Sequence, residues 1–224
     1  MPRPRNLATI VFFGDSITEG QYVAPPDRWV DILSDRLLRR YLDDPANLQV
    51  LVRGVSGETT RQALERFPRD LQAHAPDVMT LQFGLNDCNC WLTDHGLPRV
   101  SEAAYRANLV EMIVRARHFG AAQIILSNNH TTLRHKPLLD GRTLEQRRRR
   151  YNEIAAEVAA ETGVTFCDID AAFADLDAEA LAPLLLPYPD LLHLSAAGHR
   201  LYASVIGPVV ERAVETVLQA RELR

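Results

Sequence analysis

The sequence predicts an α/β protein with a parallel sheet covered by helices on both faces, and three observations carry that reading. Short β-rich runs alternate with longer helical patterns along the whole chain. Most of the short runs are continuously apolar, as strands buried on both faces must be. Hydrophobic residues at 46% and charged residues at 24% are the proportions of a globular protein. Strand, helix, strand, helix implies right-handed parallel crossovers. With no repeat, low-complexity tract or linker to interrupt it, the 224-residue chain reads as a single domain over residues 1–224.

The elements follow in order. The run ATIVFF (8–13) is the first strand and stops abruptly at Gly14-Asp15-Ser16. The segment 28–42 places Trp29, Ile32, Leu33, Leu37 and Leu38 on one side of a helix. LQVLV (48–52) is the second strand, followed by a helical pattern over 60–74 that Pro68 should end or kink. VMTLQF (78–83) precedes a helix over 101–120, and QIILS (123–127) precedes one over 143–163. Gly120 and Gly163 stand just past these two patterns, where helix-capping glycines belong. VTFCDI (164–169) is the fifth strand, and 195–220 is the last helix.

Charge and cysteines exclude several classes. With 25 Lys and Arg against 29 Asp and Glu, the net charge of −4 predicts no nucleic acid or anionic membrane as partner. Arg3 and Arg5 before LATIVFF mimic a signal peptide, but the apolar run is short and leads into Gly14-Asp15-Ser16 with no small-residue cleavage site. No apolar run approaches the roughly 18 residues of a membrane span. The expectation is a cytoplasmic protein. Cys88, Cys90 and Cys167 are odd in number, and the Cys88–Cys90 spacing suits neither zinc nor a redox pair, so they read as free thiols. No His, Cys, Asp and Glu cluster has metal-ligand spacing, so no metal is expected.

In a parallel sheet the working groups collect beyond the C-terminal strand ends. Polar segments occur there: Gly14-Asp15-Ser16 after strand one, Gly54 to Thr59 after strand two, and Gly84-Leu85-Asn86-Asp87 after strand three. Asp190 to Ser195 precedes the last helix. A serine hydroxyl is a weak nucleophile that needs a base, itself oriented by a third group. His193 has the chemistry of that base, and Asp190, one turn earlier, that of the orienting carboxylate. Acyl transfer also needs donors aimed at the developing oxyanion. Ser16 N–H, Gly57 N–H and the Asn86 amide are the candidates.

Taken in order, the four segments resemble the SGNH superfamily of hydrolases, whose lipase-like members carry a Gly-Asp-Ser-type block. The superfamily's lettered residues correspond to Ser16, Gly57, Asn86 and His193, and its Asp-x-x-His block to Asp190–His193. The resemblance runs from about Ile10 to Gly207. It implies a three-layer α/β/α flavodoxin-like fold with a five-stranded parallel sheet. It also implies a serine esterase with a Ser-His-Asp triad, an acyl-enzyme and no cofactor. One position departs from the pattern: Val52 stands where an asparagine is common upstream of the second block's glycine, which bears on local loop hydrogen bonds.

Competing structural readings apply to several residues. Ser16 to Glu19 also reads as a capping box with Ser16 as N-cap, and a serine there gains help from the helix dipole. Asp15 and Asp87 read as structural anchors of their turns, and His199 as a packing or surface residue of the last helix. Arg147 to Arg150 read as mostly a solvated face, beside a buried stripe of Leu144, Tyr151, Ile154, Ala155 and Val158. Segments 88–100 and 128–142 are the expected pocket walls, with Trp91 and His130 as substrate contacts. Their polar character and the absence of a long apolar lid favour a small-molecule or carbohydrate-borne acyl group such as acetate. Acyl transfer or thioester hydrolysis on the same fold is the alternative, and a non-catalytic glycan- or ligand-binding module the rival from another class. The sequence sets no oligomeric state.

Overall fold

The computed structural model describes residues 7–41 and 48–222; Arg3 and Arg5 of the signal-like start, and Leu42 of the second segment, lie outside them. Five strands form one all-parallel sheet: β1 (Ala8–Gly14), β2 (Leu48–Gly54), β3 (Val78–Gln82), β4 (Gln123–Ser127) and β5 (Thr165–Cys167). Their order is β2-β1-β3-β4-β5. The chain steps from β1 to one neighbour and later to the other, so its topology switches at the C-terminal end of β1, where such sheets open a crevice.

The helices are α1 (Ser16–Glu19), α2 (Trp29–Arg40), α3 (Thr60–Asp70), α4 (Leu85–Cys88), α5 (Glu102–His118), α6 (Leu144–Thr162), α7 (Ala178–Leu181) and α8 (Ala196–Glu222). On one face α8 packs across β1, β3, β4 and β5 with α2 beside it; on the other, α5 lies between α3 and α6. All seven residues of β1 are buried, and neighbours along it serve opposite layers. Phe12 meets Trp29, which stacks on Tyr202 of α8, while Phe13 meets Phe67 of α3. A strand feeding two cores has no face on which a polar residue is cheap.

Local chemistry sets the boundaries. Thr143 caps α6 by accepting from Gln146 N, and Gly163 closes it in the left-handed conformation. Gly120 also has positive φ, one residue past the α5 cap at Phe119. Pro68 lies inside α3, which runs only two residues beyond it before a 3₁₀ turn at 72–74. The fifth strand is shorter than the predicted 164–169. The N–H groups of Ile169 and Asp170 leave the ladder and donate to Asn128 Oδ1 at 2.7 and 3.0 Å.

Arg147 and Arg148 correct the expectation of a solvated arginine face: both are buried. Arg148 pairs with Glu145 (2.5 Å) and Asp170 (2.9 Å) and donates to Asn129 O. Arg147 pairs with Asp140 (2.8 Å) and donates to Gly96 O. Arg149 alone among the four is strongly exposed, at 66% of its side chain. The apolar stripe hides this, because α6 is covered along a second edge by the two loops its arginines hold. All three cysteines are buried and unpaired, and burial pushes the Cys88 and Cys167 thiols up.

Candidate active site

The strand ends build the site. β1 delivers Gly14, Asp15 and Ser16 into α1, whose N-cap is Asp15 rather than Ser16: the Asp15 carboxylate accepts from Ile17 N at 2.9 Å. Ser16 is thereby the first helical residue. The expected partner for a Ser16 cap, Glu19, instead accepts from Ser56 Oγ. Close approach explains two glycines here. A Cβ on Gly14 would run into Thr18 Oγ1, and one on Gly54 into Glu19 N.

His193 Nε2 lies 3.0 Å from Ser16 Oγ, and its Nδ1 2.8 Å from Asp190 Oδ2. A carboxylate only accepts, so Nδ1 carries the proton and Nε2 is free to accept from the serine hydroxyl. The other Asp190 oxygen accepts from the backbone N–H of Leu192 (2.9 Å) and His193 (2.6 Å). Burial pushes the Asp190 carboxyl up, but these hydrogen bonds outweigh it and hold it below its ordinary value.

Gly57 and Asn86 follow β2 and β3, the two neighbours of β1 in the sheet, and so flank Ser16 from either side. Gly57 has φ +77 with open space around it, a backbone only glycine adopts freely. Asn86 Nδ2 points toward Asp15 Oδ2 at 3.5 Å. Arg99, which the motifs did not single out, joins the two flanks. It donates to Gly57 O at 2.9 Å and to Asn86 Oδ1 at 3.4 Å, with its guanidinium 4.3 Å above the Trp91 ring. Accepting from Arg99 orients the Asn86 amide with its NH₂ group toward Asp15, beside Ser16. The one available signal was position: Arg99 closes the loop that begins at Asn86.

Two buried carboxylates support this floor. Burial pushes Asp15 up to about 7 and Asp87 up to about 6. Asp87 accepts from Thr60 N (2.9 Å) and Thr60 Oγ1 (2.5 Å), tying the loop after β3 to the start of α3. With Val52 in place of the pattern's asparagine, the neighbouring strand ends are tied from elsewhere: Arg66 of α3 donates to Gly14 O (3.0 Å) and Arg53 O (3.1 Å).

The expected substrate contacts divide. Trp91 is exposed on the Asn86 side, stacked on Arg99. His130 corrects the expectation: it has no exposed surface and packs on Phe173. Its Nε2–H donates to Leu192 O at 2.8 Å, which braces the loop carrying His193. Burial lowers His130 to about 4 and His199 to about 3. His199 is a packing residue whose Nδ1 accepts from Trp29 N at 3.3 Å. The expected walls are fastened together, since Lys136 Nζ donates to Cys90 O at 2.8 Å and Arg147 reaches Gly96 O. Among the described residues no group of His, Cys, Asp and Glu is gathered as metal ligands are, and no helix is long and apolar enough to cross a membrane.

A hydroxyl, an imidazole and a carboxylate in series at the end of β1, on a five-stranded parallel sheet, mark a class: the carboxylic ester hydrolases of SGNH fold. The chain belongs to the GDSL-like lipase/acylhydrolase family, whose model matches residues 12–201. It is similar to an acetylxylan esterase of Geobacillus stearothermophilus, 27% identical over 214 residues, covering 87% of this chain and 90% of that one. It is 34% identical over 128 residues to the uncharacterized lipoprotein YqeF of Bacillus subtilis, a match spanning 55% of this chain and about half (49%) of that protein. The lipase/acylhydrolase of Enterococcus faecalis superposes with a TM-score of 0.71 at 25% identity, covering 92% of this chain and 96% of that one.

Proposed function

We propose that this ester hydrolase is a serine esterase that removes small, acetyl-like acyl groups from carbohydrates or other small alcohols. The observation that carries the reading is the unbroken relay from Ser16 Oγ through His193 to Asp190, with contacts of 3.0 and 2.8 Å. Ser16 Oγ attacks the ester carbonyl carbon and passes its proton to His193 Nε2. Asp190 holds the imidazole in its productive tautomer and stabilises the cation that forms. Ser16 N–H, Gly57 N–H and Asn86 Nδ2 serve as the oxyanion donors, a role supported by the two strand ends that flank β1. Collapse breaks the bond to the alcohol oxygen, which takes the proton from His193. Water, activated by the same imidazole, then attacks acyl-Ser16 and releases the carboxylic acid.

A small acyl group is supported by the polar groups gathered beside Ser16, where Arg99 holds Asn86 and stacks on the exposed Trp91. The similarity to an acetylxylan esterase over 87% of the chain points the same way. The test is hydrolysis of p-nitrophenyl acetate by wild type and Ser16→Ala, with mass detection of a serine-trapping phosphonate. Turnover should fall roughly 10⁴-fold or more and the label should map to Ser16. Undiminished activity without a label on Ser16 would end this reading. A clear preference for octanoate over acetate esters would end the small-acyl part alone.

A further inference from the structure

Next to the turn that joins Asp190 to His193 lies an open groove of about 420 Å³. Tyr22, Arg134, Leu186, Pro187, Tyr188 and Asp190 line it. We propose that this groove is the subsite for the leaving alcohol and that it takes a ring-shaped polyol, a sugar. The proposal rests on the serine-esterase reading above and specifies which surface meets which half of the ester.

Proton delivery sets the location. In the relay, His193 Nε2 must return its proton to the departing oxygen, so the alcohol half sits against the imidazole while the acyl half faces the oxyanion donors. Two residues that line the groove touch that imidazole: Tyr22 by its ring and Asp190 by its carboxylate. The Tyr22 ring meets the His193 ring edge-on, with centroids 5.5 Å apart. Its walls are anchored to the same loop. Leu186 N donates to His193 O at 2.7 Å, Asp190 N to Pro187 O at 3.0 Å, and Arg134 Nε to Asp190 O at 2.7 Å. A ligand seated there is therefore held in register with the base.

The lining sets the chemistry. Tyr22 and Tyr188 leave 69% and 83% of their surface open, although large aromatic side chains are normally covered. Tyr22 does so with φ +69, a conformation that bulky residues rarely adopt and that clusters at ligand clamps. The two rings offer apolar faces to the C–H face of a sugar, while their hydroxyl rims and the Arg134 guanidinium offer partners to its hydroxyls. An alkyl alcohol would use the faces and leave the polar rim unmatched.

The experiment compares kcat/KM for a monoacetylated methyl xylopyranoside and for ethyl acetate, in wild type, Tyr188→Ala, Tyr22→Ala and Tyr188→Trp. The pyranoside-to-ethyl ratio should fall about tenfold in each alanine variant, chiefly through KM, and be kept by the tryptophan. A ratio that stays within roughly twofold of wild type in both alanine variants, with ethyl acetate still cleaved, overturns the subsite and leaves the esterase reading intact. If wild type cleaves neither ester, the esterase reading itself has failed and the subsite falls with it.

Discussion

On the His193 side of Ser16, most of the holding is done within one four-residue turn: Asp190 binds the imidazole and two backbone N–H groups of residues 192 and 193. On the opposite side nothing comparable is local. Gly57 and Asn86 arrive on separate loops and are joined by Arg99, from the end of the second of them. The first flank is a stiff unit that the fold needs only to deliver to Ser16. The second exists only once β2 and β3 have taken their places on either side of β1. Damage to the first should abolish proton transfer outright, whereas damage to the second should weaken charge stabilisation in graded steps.

Four changes test that contrast, from the largest expected effect to the smallest. Asp190→Asn keeps the shape of the turn but favours the wrong tautomer of His193, and kcat for an acetate ester should fall about 10⁴-fold. A loss as small as that of an oxyanion variant would erase the distinction between the flanks. Asn86→Ala removes one donor and should lower kcat roughly 10²–10³-fold with little change in KM. Arg99→Ala leaves both donors present but unfastened, so a loss of about tenfold in kcat is expected, with the melting temperature held near wild type. Arg99→Lys should not rescue it, because an ammonium gives up the stacking on Trp91 and the further bond to Gln62 that hold the guanidinium in place.

The smallest effect concerns stability. Burial raises Asp87 to about 6 from an ordinary 3.8, so the folded protein binds its proton more tightly than the unfolded chain. Stability from this group is therefore full below pH ~4 and is lost as pH rises toward ~6. Asp87→Asn keeps an acceptor for Thr60 and carries no charge, and should flatten that fall by on the order of 2 kcal/mol in urea titrations across the window. An unchanged pH slope would show that Asp87 stays ionised on folding.

The contrast between the flanks also explains which parts of the site were legible. The residues Ser16, Asp190 and His193 could be singled out because each lies in a short block with its own chemistry. The five strands were legible because burial on both faces leaves uninterrupted apolar runs. Arg99 was invisible, since a lone arginine in a loop has no pattern. Arg147 and Arg148 were misread for a related reason. Helical periodicity reports one buried stripe, and their second covered edge is made by loops outside the helix, at Gly96, Asp140 and Asp170. His130 sits at a strand end, as functional residues do, but only the packed loop above it shows that it braces Leu192 instead of facing solvent.

The sequence by itself determined the layer order, the strand ends where chemistry collects, and the local pairing of Asp190 with His193, because periodicity and one-turn contacts need only neighbouring residues. Tertiary structure alone decided that Arg99 fastens Gly57 to Asn86 and that two arginines of α6 are buried. Those outcomes depend on which distant loop covers each group, and the free energy of burying a charge is set by partners brought in from far along the chain.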